Sequence, residues 1–160
     1  MHRVVVTGLG IVAPNATGIP EFTKALREGR SGVTFQPRMN ELRLACQVAG
    51  NPHIDPALVE ATFLESTIRV MNSSMTYAGL AAVECWRDAG FSYERDQRSD
   101  VDWNTGAVIG TGVGGMDTVA DRLIPMTNAG EARRMGSAMP EQYMSSAPSA
   151  FVGGLLGLGG

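Results

Sequence analysis

Cysteine and histidine are scarce in this chain, with two of each in 160 residues. Cys46 and Cys85 lie far apart and form neither a C-x-x-C pair nor, with His2 and His53, a zinc-ligand spacing. No metal site and no disulfide framework is expected. Buried free thiols in a reducing compartment, and surface positions for both histidines, are the expectation. Aromatic residues are few, at 5 Phe, 3 Tyr and 2 Trp. No apolar run reaches the roughly 18 to 20 residues that span a bilayer. The N-terminal run is broken at Thr7 and Gly8, and "AFVGGLLGLGG" near the other end is too short. A charged start leading into an apolar targeting segment is also missing, so the expected location is the cytoplasm, with no membrane partner. Neither charge dominates: 13 Lys and Arg stand against 16 Asp and Glu, a formal charge of −3. That excludes the broad basic footprint of a nucleic-acid binder and leaves any charged partner to a local patch.

What is present is apolar material and glycine. At 44% hydrophobic, the chain can build a sizeable core, and its 20 glycines fall mostly at element ends. The length suits one domain, or one half of a larger one. Arg3 to Val12 reads as a buried strand, broken by Pro14 and Asn15. A helix is expected from about Pro20 to Glu28, with Gly29 as its stop, then a loop over "EGRSGVTF" and a weaker strand from Leu42 to Ala49. The strongest periodicity runs from Ser66 to Ala89, where Ile68, Met71, Met75, Ala78, Ala82 and Cys85 recur at helical steps. Thr62 and Glu65 have capping-box spacing ahead of it, and Gly90 closes it. "YERDQRSDVD" reads as a solvated connection and "TGAVIGTG" as a third strand, with a helix after Gly115. A last helix from Pro140 would carry Tyr143, Met144, Ala147, Phe151 and Leu155 on one face. The alternation of strands and helices indicates an α/β fold.

Two stretches, "VVVTGLGIVAP" and "VIGTGVGG", fit the spacing G-x-G-x-x-[GA] of a dinucleotide-binding turn. That site also needs a helix opening directly from the turn and a carboxylate at the end of the next strand. After the first turn Pro14 and Asn15 intervene and the next strand ends at "VAGN". No strand with a terminal Asp or Glu follows the second turn. Glycines placed for close strand-helix packing explain both turns better, and a nucleotide-binding domain is kept as the third possible function.

Taken together, "VVVTGLGIVAP", "LREGRSGVTF", "IRVMNSSMTYAGLAAVECWRDAG", "AVIGTGVGG" and the "MP" of Met139 and Pro140 follow one order over nearly the whole chain. In that order the chain resembles the N-terminal half of the β-ketoacyl-acyl-carrier-protein synthases, the condensing enzymes of fatty-acid and polyketide synthesis. "LREGRSGVTF" and "IRVM" are most similar to the ketoacyl synthase I group. The resemblance implies a thiolase-like fold, in which two similar α/β halves stack as α/β/α/β/α layers, with no cofactor. It implies a homodimer or a ketosynthase-like partner, an acyl-thioester substrate and acyl carrier protein as the protein partner.

The chemistry of that family needs a cysteine nucleophile and two histidines, and no catalytic residue of that set is expected in this chain. Cys46 sits in an "AC" dipeptide but leads into a strand rather than a helix start, and Cys85 lies inside the long helix. The resemblance assigns Val113, between the glycines of "GTGVGG", to the gate of the acyl pocket; a valine that merely packs the turn is the alternative. It assigns Met144 to an acyl-pocket wall reached across a dimer, against ordinary core packing. Arg69, Arg133 and Arg134 match carrier-protein-binding positions, against solvated arginines. The expectation over residues 1–160 is an N-terminal portion of a longer ketosynthase, inactive alone. A non-catalytic partner resembling a chain-length factor is the second possibility.

Overall fold

The computed structural model describes residues 3–95 and 100–160. A long helix, α5 (Ser73–Asp88), organises them. Ahead of it come β1 (Val12–Ala13), β2 (Ala16–Thr17), α1 (Ile19–Arg27), β3 (Val33–Phe35), α2 (Pro37–Glu41), β4 (Val48–Gly50), α3 (Pro56–Thr62) and α4 (Glu65–Ile68). After it come α6 (Met116–Thr118), a π turn (Val119–Leu123), α7 (Ile124–Asn128), a 3-10 turn (Ala132–Arg134), α8 (Met139–Tyr143) and α9 (Ala147–Leu156).

Pro20 in the first turn, Glu21 near the positive end of the dipole and Lys24 and Arg27 near the negative end make α1 where the sequence predicts it. Gly29, at φ +64°, provides the left-handed exit. Helix α5 also ends as expected, with Gly90 at φ +88°.

Its start differs. The expected helix from Ser66 is two, α4 and α5, separated by a joint from Arg69 to Asn72. Asn72 takes the N-cap of α5: its side-chain oxygen accepts from the Met75 amide at 2.9 Å. Thr62 caps nothing, and its hydroxyl donates instead to the carbonyl of Leu58 at 2.7 Å. The expected final helix is likewise two, α8 and α9, with an extended Met144 between them. The helix after Gly115 is present and runs to Asn128 with a π turn inside it. Pro125 cannot donate to the carbonyl four residues back, and the wider turn precedes it.

The strands depart furthest from expectation. Within "EGRSGVTF", β3 forms and pairs antiparallel with β4, Phe35 opposite Val48 and Val33 opposite Gly50. Of the expected Leu42–Ala49 strand only Val48 and Ala49 are ladder, within β4, and β1 and β2 make a second antiparallel pair around Pro14 and Asn15. Residues 3–11 and 106–110 carry no strand ladder. Val4 is 95% and Val6 81% exposed, and Val108 is fully so. Near-continuous β-branched residues signal a strand covered on both faces, and no described segment covers these. Residues 96–99 of the charged connection, and His2, lie outside the described residues.

The core forms where α5 meets α9 and α3. Phe63, Leu80 and Val83 are buried at its centre, with Ile68, Met71, Phe151 and Leu155 packed around them. The rings of Phe63 and Phe151 meet edge to face with centroids 6.0 Å apart. Gly79 makes room for both: a Cβ there would stand 2.7 Å from Phe151 and 2.9 Å from Phe63.

Candidate functional site

The first glycine turn lies directly on α5. A Cβ on Gly8 would stand 2.3 Å from the carbonyl oxygen of Cys85, and one on Gly10 would stand 1.9 Å from that of Ala81. The amides that a pyrophosphate would require are already engaged by carboxylates. Leu9 donates to Asp88 at 2.8 Å, while Ile11 and Ile19 donate to the two oxygens of Glu84 at 2.9 and 2.7 Å. Two negative charges at this place repel a phosphate, so the turn is a close backbone seam against α5 and not an anion cradle. A cavity of about 610 Å³ opens beside it, lined by apolar Leu9, Ile11, Leu58 and Val83 with Glu84 and Asp88 at its edge.

The second glycine turn lies against the segment that joins α8 to α9. A Cβ on Gly114 would stand 2.5 Å from the carbonyl oxygen of Met144, and one on Gly115, at φ +58°, 2.0 Å from that of Gln142. The hydroxyl of Thr111 donates to the carbonyl of Ser145 at 2.9 Å. Next to this contact is a cavity of about 250 Å³ walled by Val70, Met75, Met144, Ala147, Ala150 and Phe151, with Glu141 and Gln142 as polar lining. An apolar pocket with a few polar groups suits a ligand that is mostly hydrocarbon.

Met144 therefore lines a cavity, half exposed. Val113 stands beside the Gly114–Met144 contact, 69% exposed. The structure thus brings the segments of both residues together. Arg69 caps the C-terminus of α4 at the joint that leads to Val70, and its guanidinium pairs with Glu65 at 2.5 Å on the open surface. Arg133 and Arg134 lie in the exposed 3-10 turn, where Arg134 pairs with Glu131 at 2.8 Å. Exposed pairs of this kind contribute about 0–1 kcal/mol and exchange partners readily.

Of the cysteines, Cys85 is half-buried in α5, whereas Cys46 is exposed in the loop before β4, contrary to the burial expected of both. Its apolar neighbours Leu42, Leu44 and Val48 are exposed as well. The Cys46 thiol donates to the carbonyl of Val48 at 3.4 Å. His53 is exposed. Among the described residues no three of His, Cys, Asp and Glu gather as a metal site. No described helix is long and apolar enough to cross a membrane.

Sequence reading missed a polar network around the smaller cavity. Gln142 is 4% exposed. Its side-chain amide donates to the carbonyl of Val70 at 2.8 Å, and its side-chain oxygen accepts from Arg122 at 3.2 Å. Asn72 donates to its main-chain carbonyl. Asp117 takes the Ser73 amide at 2.7 Å, and its second oxygen is buried without a partner among the described residues. Burial, and then the charge of Asp117, push the Tyr77 hydroxyl above its ordinary pKa. The one legible trace was Asn72 directly before Ser73 and Ser74, an N-cap sitting inside a continuous apolar period.

A family model described as "Beta-ketoacyl synthase, N-terminal domain" matches residues 1–160. Over 156 residues the chain is 32% identical to a Streptomyces halstedii protein named as a polyketide beta-ketoacyl synthase 1, a match covering 94% of this chain and 35% of that one. It is 34% identical over 115 residues to 3-oxoacyl-[acyl-carrier-protein] synthase 1 of Escherichia coli K12, covering 71% of this chain and 27% of that one. A solved beta-ketoacyl synthase structure from Burkholderia phymatum STM815 superposes with TM-score 0.78 at 25% identity, over 100% of this chain and 38% of the other. The chain spans about a third of the length of the relatives it matches.

Proposed function

Because the chain belongs to the family of β-ketoacyl synthase N-terminal domains and has its thiolase-like α/β fold, we propose that it is part of a longer β-ketoacyl-acyl-carrier-protein synthase of fatty-acid or polyketide synthesis. The reaction is a decarboxylative Claisen condensation. An acyl group passes from its carrier thioester to a cysteine thiolate. Loss of carbon dioxide from malonyl carrier protein then leaves a carbanion that attacks the acyl thioester, forming the new carbon–carbon bond and releasing the thiolate. The 160 residues would serve this chemistry as scaffold and pocket wall and would not condense acyl groups by themselves.

One observation carries the reading at the level of geometry: the glycine turn of residues 111–115 closes on the wall of the Met144 cavity. That wall is apolar on most of its surface, which suits an acyl chain, and methionine can yield to chains of different length. Val113, beside the contact, is then the gate, and Met144 is the wall that a second subunit would share across a dimer. Carrier protein is strongly acidic on its docking helix, and at −3 overall this chain can attract it only through a local cluster. Arg69, Arg133 and Arg134 are proposed for that role, the surface partners of Arg69 and Arg134, Glu65 and Glu131, being displaced at small cost. The cytoplasm is the proposed compartment.

The test is a condensation assay on the complete protein encoded by the reading frame, beside residues 1–160 alone, with acyl and malonyl carrier protein. Condensation by the first and none by the second is expected. A complete protein that is inactive alone yet extends the chain length made by a second ketosynthase would be a partner resembling a chain-length factor instead.

A further inference from the structure

We infer that Gln142 is a positioning residue, whose side chain locks the Met144 turn to the α4–α5 joint. Three bodies meet there. From the joint, Val70 offers its carbonyl to the Gln142 side-chain amide at 2.8 Å and Asn72 donates to the Gln142 main chain. The helical segment after the glycine turn contributes Arg122, which donates to the Gln142 side-chain oxygen at 3.2 Å. The turn itself contributes Gly115, whose missing Cβ lets the Gln142 carbonyl approach its backbone. Both polar ends of the buried side chain are thus engaged in opposite directions, and the residue two positions on is Met144. Gln142 lies in the last turn of α8 and Met144, just past Tyr143, is extended, so the place of the chain leaving the helix is set by these bonds and by the Thr111–Ser145 contact.

The arrangement has a consequence for selectivity, which rests on the reading of the Met144 cavity as an acyl site. Val70 lines that cavity together with Gln142 and Met144, so the amide bond to Val70 fixes two walls against each other. Arg69 is the neighbour of Val70 in the chain. A carrier protein held at Arg69 would press on the same joint that Gln142 ties to the pocket.

The test uses the complete protein with Gln142→Met, which keeps length and flexibility but makes neither bond. Hydrogen exchange at the amides of Tyr143 to Ala147, and at Val70 to Asn72, should accelerate by about tenfold while α1 amides are unchanged. Unchanged exchange at Tyr143 to Ala147 would overturn the inference. Where Gln142→Met does not fold, Arg122→Met removes one contact only and should give about a twofold to threefold acceleration at the same amides, with no acceleration counting equally against the inference. In assays with carrier-bound substrates, Gln142→Met should change the ratio of kcat/KM for long and short acyl chains by about fivefold or more. An equal loss for all chains would reduce Gln142 to a structural role. If the wild-type protein condenses no acyl group, the proposed function fails, and the exchange experiment still decides the role of Gln142 by itself.

Discussion

Asn72 donates its side-chain amide to the main-chain carbonyl of Gln142, seventy residues later in the chain. The same side chain caps α5 through its oxygen. Asn72→Ala removes both functions. Loss of the cap costs about 1 kcal/mol, and an unpaired buried carbonyl costs about 1–3 kcal/mol more. Asn72→Ser keeps a capping oxygen but loses the amide donor, so urea unfolding of the complete protein should place it between wild type and alanine. Serine as unstable as alanine would mean that the cap contributes nothing.

Glu84 joins the first glycine turn to α1 by accepting from Ile11 and Ile19. Glu84→Gln turns one acceptor into a donor facing an amide. With charge-assisted bonds worth about 1.5–3 kcal/mol each, a loss in that range is expected from equilibrium unfolding. Since the carboxylates occupy the amides of the turn, titration with nicotinamide nucleotides should show no micromolar binding. Binding in that range would reopen the dinucleotide reading.

Tyr77 supplies a pH test. Burial first, and the Asp117 charge second, raise its folded pKa above the ordinary 10.0. The contribution is complete below the unfolded pKa and is lost as pH rises through that value toward the folded one, because the unfolded chain ionises first. Tyr93 is raised too, by burial, with Arg87 opposing. Tyr77→Phe should leave unfolding at about pH 8 little changed and flatten the fall in stability above about pH 10. An alkaline limb as steep in the variant as in wild type would remove Tyr77 as its source.

Val113 stands exposed beside the Gly114–Met144 contact, at the proposed gate. In the complete enzyme Val113→Gly should admit longer acyl chains and Val113→Phe should restrict them, each read from the product distribution by mass spectrometry. An unchanged distribution in both would leave Val113 as packing.

Arg69 and Arg134 form the charge test. Combined Arg69→Glu and Arg134→Glu should raise KM for acyl carrier protein and flatten its salt dependence, with a small acyl thioester turned over nearly as before, since rim charges act mainly on association. Equal loss with both substrates would make these arginines structural.

Local rules made much of this fold legible. Helix α1 and the exits at Gly29 and Gly90 follow from proline placement, end charges and glycine, all read within a few residues. The joint at Arg69–Asn72 was hidden because Ile68, Met71 and Met75 keep helical spacing across it, so the apolar period continues where the backbone does not. The valines at 4–6 and Val108 read as buried strand, yet their composition states only that such residues suit covering, and covering depends on what lies opposite. Gln142 was invisible for a similar reason. A single buried glutamine has no pattern; its meaning comes from Val70 and Arg122, far away in sequence.

At Gly8 and Gly10 the backbone rests on the carbonyls of α5 without any layer of side chain between them. The first carbon of any side chain would already collide there, before its size or polarity could matter. A saturation library at these positions should therefore be blind to chemistry: alanine, the mildest replacement elsewhere in the protein, would be rejected as firmly as tryptophan.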